Sequence, residues 1–217
     1  MVMQMPGQGV VFTVVANWHG EDKEEGHAWI KNVSGAGTCV MEMTQEITLG
    51  ELLDINEKIV VWPSYGRAFT LNVKELTAKT ISVLAKHCTN APGGSLIFSY
   101  HTLLSAQEPT QKSVFGTRAR HHMLEIYAIL PDESVAKDRV KWAAQVKSEI
   151  QEQDPDNILE GSYISLGSHE DTDLKKVYGR HYETLAALKR KYDAGNVFKH
   201  SIPRLLVSGE EKEILEV

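Results

Sequence analysis

Residues 173–203, DLKKVYGRHYETLAALKRKYDAGNVFKHSIP, constrain this chain more than any other stretch. Asp173 is placed to accept from the first free amides of a helix. Leu174, Tyr178, Leu185, Leu188 and Tyr192 recur three to four residues apart and predict one apolar stripe. Lys175, Lys176, Arg190 and Lys191 fall on the other faces of that helix. The step Tyr192-Asp193-Ala194-Gly195-Asn196 predicts its end, with Gly195 free to adopt positive φ. An extended apolar tail follows, Val197-Phe198 and then Ile202-Pro203. Pattern alone predicts a docking helix that closes a larger core.

The chain has 217 residues and 42% hydrophobic content, enough for one domain, 1–217, with a substantial core. No apolar run approaches the length of about 20 residues that spans a bilayer. The start, MVMQMPGQG, lacks a basic region followed by an apolar one, so no signal peptide is expected. Cys39 and Cys88 form no metal spacing and suit a reducing, cytoplasmic compartment. The net charge is −6, with no basic cluster beyond helix faces, which argues against nucleic acid as a partner.

In chain order, β-branched content predicts strands over 10–17, 38–44, 60–71, 95–102, 120–130 and 161–166. Helices are expected over 21–33, behind the capping box Thr48–Glu51, after the cap signal Asn72–Glu75, and behind Asp132. The helix behind Asp132 carries Val135, Trp142, Val146 and Ile150 on one side. Residues 103–113, polar and with Pro109, read as a loop, and the acidic end 208–217 as a loose tail. Alternating strands and helices leave a parallel doubly wound sheet open. Gly7-Gln8-Gly9 precedes a predicted strand instead of following one, so it is no dinucleotide fingerprint. His121 and His122 cannot point the same way in a strand, which argues against a metal pair.

Tyr178-Gly179, Tyr182, Leu185, Lys189, Tyr192-Asp193, Asn196 and Phe198 stand in a specific order. This series resembles the C-terminal signature of berberine-bridge-enzyme-like, FAD-linked oxidases. Gly161-Ser162-Tyr163-Ile164-Ser165 resembles the strand ahead of the helix in that family. The resemblance covers the C-terminal third well and the remainder by order of elements. It implies an α+β fold: a mostly antiparallel sheet of about six or seven strands with helices packed on one face. It also implies that the family's N-terminal flavin domain has no counterpart in these residues, so the expectation is that no cofactor is bound. The sequence departs from the family at Ser165 and His181, where Asn is common, and at Ala194-Gly195, where a Pro-containing step is frequent.

The resemblance places the family's site on the sheet face away from the helices. Alternation then assigns side chains. His121, Met123, Glu125 and Tyr127 share that face in one strand, and Ile97, Ser99 and His101 in another. Tyr163 and Ser165 share a face in the last strand, and Tyr65 and Arg67 in the third. The expected acid–base residues are His121, Glu125, Tyr127 and His101. The expected substrate contacts are Tyr65, Arg67, Ser99, Met123, Tyr163 and Ser165. A solvated sheet face of mixed polar residues is the plainer alternative.

Three functions fit. One is a flavin-independent cyclase of natural-product biosynthesis, steering a cyclisation or cycloaddition of a reactive apolar intermediate. The second is the substrate half of a split oxidase whose FAD domain is a separate polypeptide. The third is a non-catalytic small-molecule binder. A homodimer is expected if Ile97, Met123 and the Val197-Phe198 tail are exposed.

Overall fold

In the computed structural model the described residues are 1–5, 7–58, 62–103, 114, 120–167, 172–201 and 204–205. They form two compact units, one of residues 1–12 with 64–217 and one of residues 13–63.

The first unit is built on a five-stranded antiparallel sheet in the order β2-β1-β4-β5-β3. Its strands are β1 (Val2–Met5), β2 (Gly9–Phe12), β3 (Tyr65–Val73), β4 (Ser95–Leu103) and β5 (His121–Leu130). Strand β5 pairs β3 from Tyr65↔Leu130 to Val73↔His122, and β4 from Phe98↔Ile126 to Leu103↔His121. Paired residues share a face, so the register sorts the side chains. Phe69, Leu71, Val73, Phe98, Leu124, Ile126 and Ala128 form one apolar face. Helix α4 (Glu133–Gln153) lays Trp142, Ala143, Val146 and Ile150 on that face, with the Trp142 and Phe98 rings stacked 5.6 Å apart.

Helix α3 (Ala78–Cys88) packs beside α4. Two polar links join them. His87 Nε2 lies 2.8 Å from Glu149, and Lys86 donates to the same carboxylate at 2.7 Å. At the far end, Asp154 accepts from Thr77, from Thr80 at 2.9 Å and from Asn157 at 3.0 Å. These bonds hold the Asp154 carboxyl below its usual range, Thr77 contributing most.

The structure corrects several boundaries. It has five strands among the described residues, fewer than the six or seven expected. Strand β1, rich in Met and Gln, carries too few β-branched residues to be read from sequence. The stretch 38–44 forms no strand, and 10–17 contracts to a hairpin strand ending at Phe12. Asn72 closes β3 instead of opening a helix, and Thr77 caps α3 by accepting from Thr80 N at 3.1 Å. The expected strand at 161–166 is a turn: Ile158 makes one bridge to Val73, and then Gly161 leaves the extended region at φ +92°.

The expected single helix after Asp173 is also broken. Asp173 caps α5 (Leu174–Tyr178), accepting from Lys175 N at 3.0 Å. Gly179, at φ +50°, then ends α5 and begins a 3-10 turn that leads into α6 (Tyr182–Tyr192). The break re-aims the stripe. Val177 and Ala186 are buried, while Leu188 and Tyr192 are exposed. At the end of α6 the positive φ falls on Asn196 and not on Gly195. Asp193 closes this turn by accepting from Val197 N at 2.7 Å and from Lys189.

The second unit holds α1 (Lys23–Ser34) and α2 (Leu49–Glu57). The capping box expected at Thr48 and Glu51 is present. Trp18 packs on Gly26 of α1, where any Cβ would come within 2.6 Å of the indole. The segments 104–113 and 206–217 lie outside the described residues, and with them most of the expected loop and the whole acidic tail.

Candidate functional site

The face of the sheet opposite α4 carries Ala68, Thr70 and Asn72 from β3, Ser99 and His101 from β4, and His121, Met123, Glu125 and Tyr127 from β5. It was expected to be open. Its centre is not: His121 is 5% exposed, Met123 4% and Glu125 3%. A carboxylate in such a place requires donors, and it has them.

Ser99 sits directly opposite Glu125 in the β4–β5 ladder. Two residues further along β4, on the same face, stands His101. Its Nε2 lies 2.9 Å from Ser99 Oγ and 3.3 Å from Glu125 Oε2. Two residues along β5 from Glu125 and on the same face, the Tyr127 phenol lies close enough to Glu125 and Ser99 for both to shift its pKa. Four side chains from two strands thus close into one network. Burial, and then the Glu125 carboxylate, push the Tyr127 phenol far above the ordinary tyrosine range. Tyr127 is therefore a neutral hydrogen-bonding group at any physiological pH. Glu125 is sealed in, whereas the His101 side chain is 43% exposed. The imidazole, and in part the half-buried Tyr127 ring, are what solvent and small molecules can reach.

The structure thus brings together Ser99, His101, Glu125 and Tyr127. His121 and Met123 share the face but stand opposite Leu103 and His101 in the ladder. Tyr65 and Arg67 do share a face, as alternation predicts, but it is the helix face. They pair with Leu130 and Ala128, and the Arg67 guanidinium lies 4.7 Å over the Phe69 ring. The small and polar Ala68, Thr70 and Asn72 take the other side of β3, which leaves Arg67 in register with the apolar residues. Tyr163 and Ser165 are not on the sheet at all. They lie exposed in the turn where Leu166 N donates to Tyr163 O at 3.1 Å. His122 faces the helix side, stacked on Tyr100 at 4.8 Å.

One residue at this site escaped sequence reasoning. Arg139 of α4 is fully buried without a carboxylate partner. It donates from Nε to Tyr127 O at 2.7 Å, and from its terminal nitrogens to Leu96 O at 2.7 Å and Pro92 O at 2.8 Å. Its guanidinium stacks 4.6 Å over the Trp142 ring. Burial lowers its pKa to about 10. The signal was available: Arg139 interrupts the stripe Val135, Trp142, Val146, Ile150 at helical spacing, where a charge demands an explanation.

The family model for berberine and berberine-like proteins matches residues 169–203. The likeness to that family is thus strongest in residues 169–203. Outside that segment the likeness continues more faintly. The FAD-linked oxidoreductase aurO of Gibberella zeae is 26% identical over 198 residues, which are 89% of this chain and 38% of that protein. Among solved structures, 6-hydroxy-D-nicotine oxidase from Arthrobacter nicotinovorans superposes with a TM-score of 0.58 at 14% identity, over 82% of this chain and 41% of its own. The wild-type BBE-like 1 protein of Physcomitrella patens gives 0.50 at 16% identity, over 59% and 28%. The structural likeness establishes a shared α+β fold. The chain spans under half the length of the relatives it matches.

The relative aurO is FAD-linked by name. Two glycine-bearing turns among the described residues are Gly7 and Gly9 in the β1–β2 hairpin and Gly93-Gly94 ahead of β4. Both lead into strands, so neither presents a helix N-terminus to a pyrophosphate. No helix among the described residues is long and apolar enough to cross a membrane.

Proposed function

We propose that this chain is the substrate-facing part of a flavin-linked oxidoreductase, and that Ser99, His101, Glu125 and Tyr127 carry its acid–base chemistry. The observation that supports this reading is the buried Glu125 carboxylate, held between His101 Nε2 and the Tyr127 phenol. The relative aurO, an FAD-linked oxidoreductase by name, supports the reaction class.

The roles follow from the hydrogen bonds. In the tautomer that donates from Nε2 to Glu125, Nδ1 of His101 keeps its lone pair. A substrate O–H or N–H brought to the exposed edge of the ring gives its proton to Nδ1. The Glu125 carboxylate then stabilises the imidazolium, as an oriented acid does for a catalytic histidine. Tyr127 and Ser99 fix the carboxylate, and Tyr127 offers an aromatic edge to the apolar body of a small organic substrate.

A second reading keeps the same residues. A flavin-independent cyclase of natural-product biosynthesis needs orientation and a few hydrogen bonds, and this network supplies both without a redox group. Ser165 and His181, where the resembled family commonly has Asn, favour it. A carrier without catalysis is a third, and it would not need the His101–Glu125 pair.

The test is turnover of hydroxylated aromatic and polyene substrates by the purified chain, with and without added FAD, and by Glu125→Gln. Turnover that needs FAD and falls in Glu125→Gln supports the first reading. Product formed without FAD, and lost in the variant, supports the cyclase. Equal turnover by wild type and Glu125→Gln removes the acid–base role from both.

A further inference from the structure

The β4–β5 ladder ends early. Its last paired residues are Phe98 and Ile126. Beyond them β4 keeps only β1, which pairs its other edge at Val2↔Phe98 and, past a register shift, at Leu96↔Met3 and Ser95↔Gln4, and β5 continues against β3 alone. Tyr127 is the first β5 residue past this fork. No ladder bond to β4 sets its distance from that strand. Yet Tyr127 shares a face with Glu125, opposite which Ser99 stands on β4, and its phenol answers to both.

The guanidinium of Arg139 fills the fork. Nε donates to Tyr127 O on the β5 side, and NH2 donates to Leu96 O on the β4 side, each at 2.7 Å. NH1 holds the incoming turn through Pro92 O at 2.8 Å, with Gly94 O at 3.5 Å. A planar fork with five donors spans two diverging strands in a way that a lysine cannot. Trp142 covers the guanidinium from the helix side, 4.6 Å away, so the group has little room to move.

We infer that Arg139 is a positioning residue for the candidate site: its guanidinium replaces the missing β4–β5 bonds and so fixes where the Tyr127 phenol meets Ser99 and Glu125. This rests on the acid–base reading of the network, since Arg139 itself lies on the other face and touches no substrate. A plain stabilising role is the competing account. It predicts a lower melting temperature in variants and no specific change at Tyr127.

The experiment uses the full chain with ¹³Cζ-labelled tyrosine, Tyr127 being assigned by its loss in Tyr127→Phe. In the wild type the Tyr127 signal holds its neutral position well past the ordinary tyrosine pKa of about 10. In Arg139→Lys, which keeps the charge but loses the fork, that signal moves and titrates toward the ordinary value, while the other tyrosines keep theirs. A folded Arg139→Lys protein with an unchanged Tyr127 titration overturns the inference. If Arg139→Lys does not fold, the wild type decides. A coupling across the hydrogen bond from Arg139 Nε–H to the Tyr127 carbonyl carbon, together with slow exchange of that proton, supports the inference, and their absence overturns it. None of these readouts involves turnover, so the positioning role can fail while the proton chemistry stands, and the reverse.

Discussion

The carboxylate of Glu125 lies 3.3 Å from Nε2 of His101 across the β4–β5 ladder, the carboxylate side chain 3% exposed and the imidazole 43%. The pair joins a sealed charge to a reachable ring. Glu125→Gln keeps the shape and removes the charge that stabilises the imidazolium. Turnover should fall by roughly 10²-fold or more, and His101→Ala should match it. Circular dichroism should show the same fold for both variants. A loss confined to substrate affinity would assign the pair to binding alone.

The Asp154 cluster gives a pH prediction. The folded-state pKa is depressed, first by the Thr77 hydrogen bond and then by those of Thr80 and Asn157. A depressed carboxylate stabilises the fold above the unfolded value of about 3.9 and loses that contribution as pH falls through its folded value. Urea midpoints should therefore drop below about pH 4 in the wild type. In Asp154→Asn they should be lower at neutral pH and should change less with acid. Asp154→Ala, which strands three donors, should cost about 2 kcal/mol.

Gly66 opens β3 at φ +102°, and a Cβ there would come within 1.8 Å of the Ala128 carbonyl oxygen. That oxygen belongs to the backbone of β5, paired in the sheet, and cannot swing aside. Gly66→Ala should destabilise the protein by about 3 kcal/mol or more. Chemical denaturation measures it, and a change within experimental error would mean that the β3–β5 register is not as described.

How much of this was legible follows from the periods involved. Strand β5 and helix α4 were read almost to the residue. One sets Leu124, Ile126, Ala128 and Leu130 on one face, and the other has an N-cap and a four-residue stripe. Because the side-chain period of a strand is two, Ser99, His101, Glu125 and Tyr127 fell on one face as soon as the strands were placed. Tyr65 and Arg67 failed for the same reason. Alternation says which residues share a face, and only the pairing with Leu130 and Ala128 says which face it is. Tyr163 and Ser165 failed because a single bridge at Ile158 stands in for a strand, and Gly161 turns the chain before a ladder can grow. Arg139 was missed because its partners are carbonyls 12 to 47 residues away, and a sequence pattern carries no record of them.

The expectation of a homodimer now rests on fewer residues. Ile97 and Met123 are buried, whereas Val197 is 78% and Phe198 69% exposed. If this tail drives self-association, light scattering should find a dimer at micromolar concentration in the wild type and a monomer in Phe198→Ser. A wild-type monomer throughout that range removes the proposal.

The central claim is that small molecules meet this chain at His101 and Tyr127. Binding can be read directly from ring carbon–proton spectra of the full chain during titration with a panel of hydroxylated aromatic compounds. The account predicts that the largest shifts fall on His101 and Tyr127, and that they weaken at least several-fold in Glu125→Gln. Shifts centred elsewhere, on Tyr163 or Tyr192, and unchanged by Glu125→Gln would contradict it.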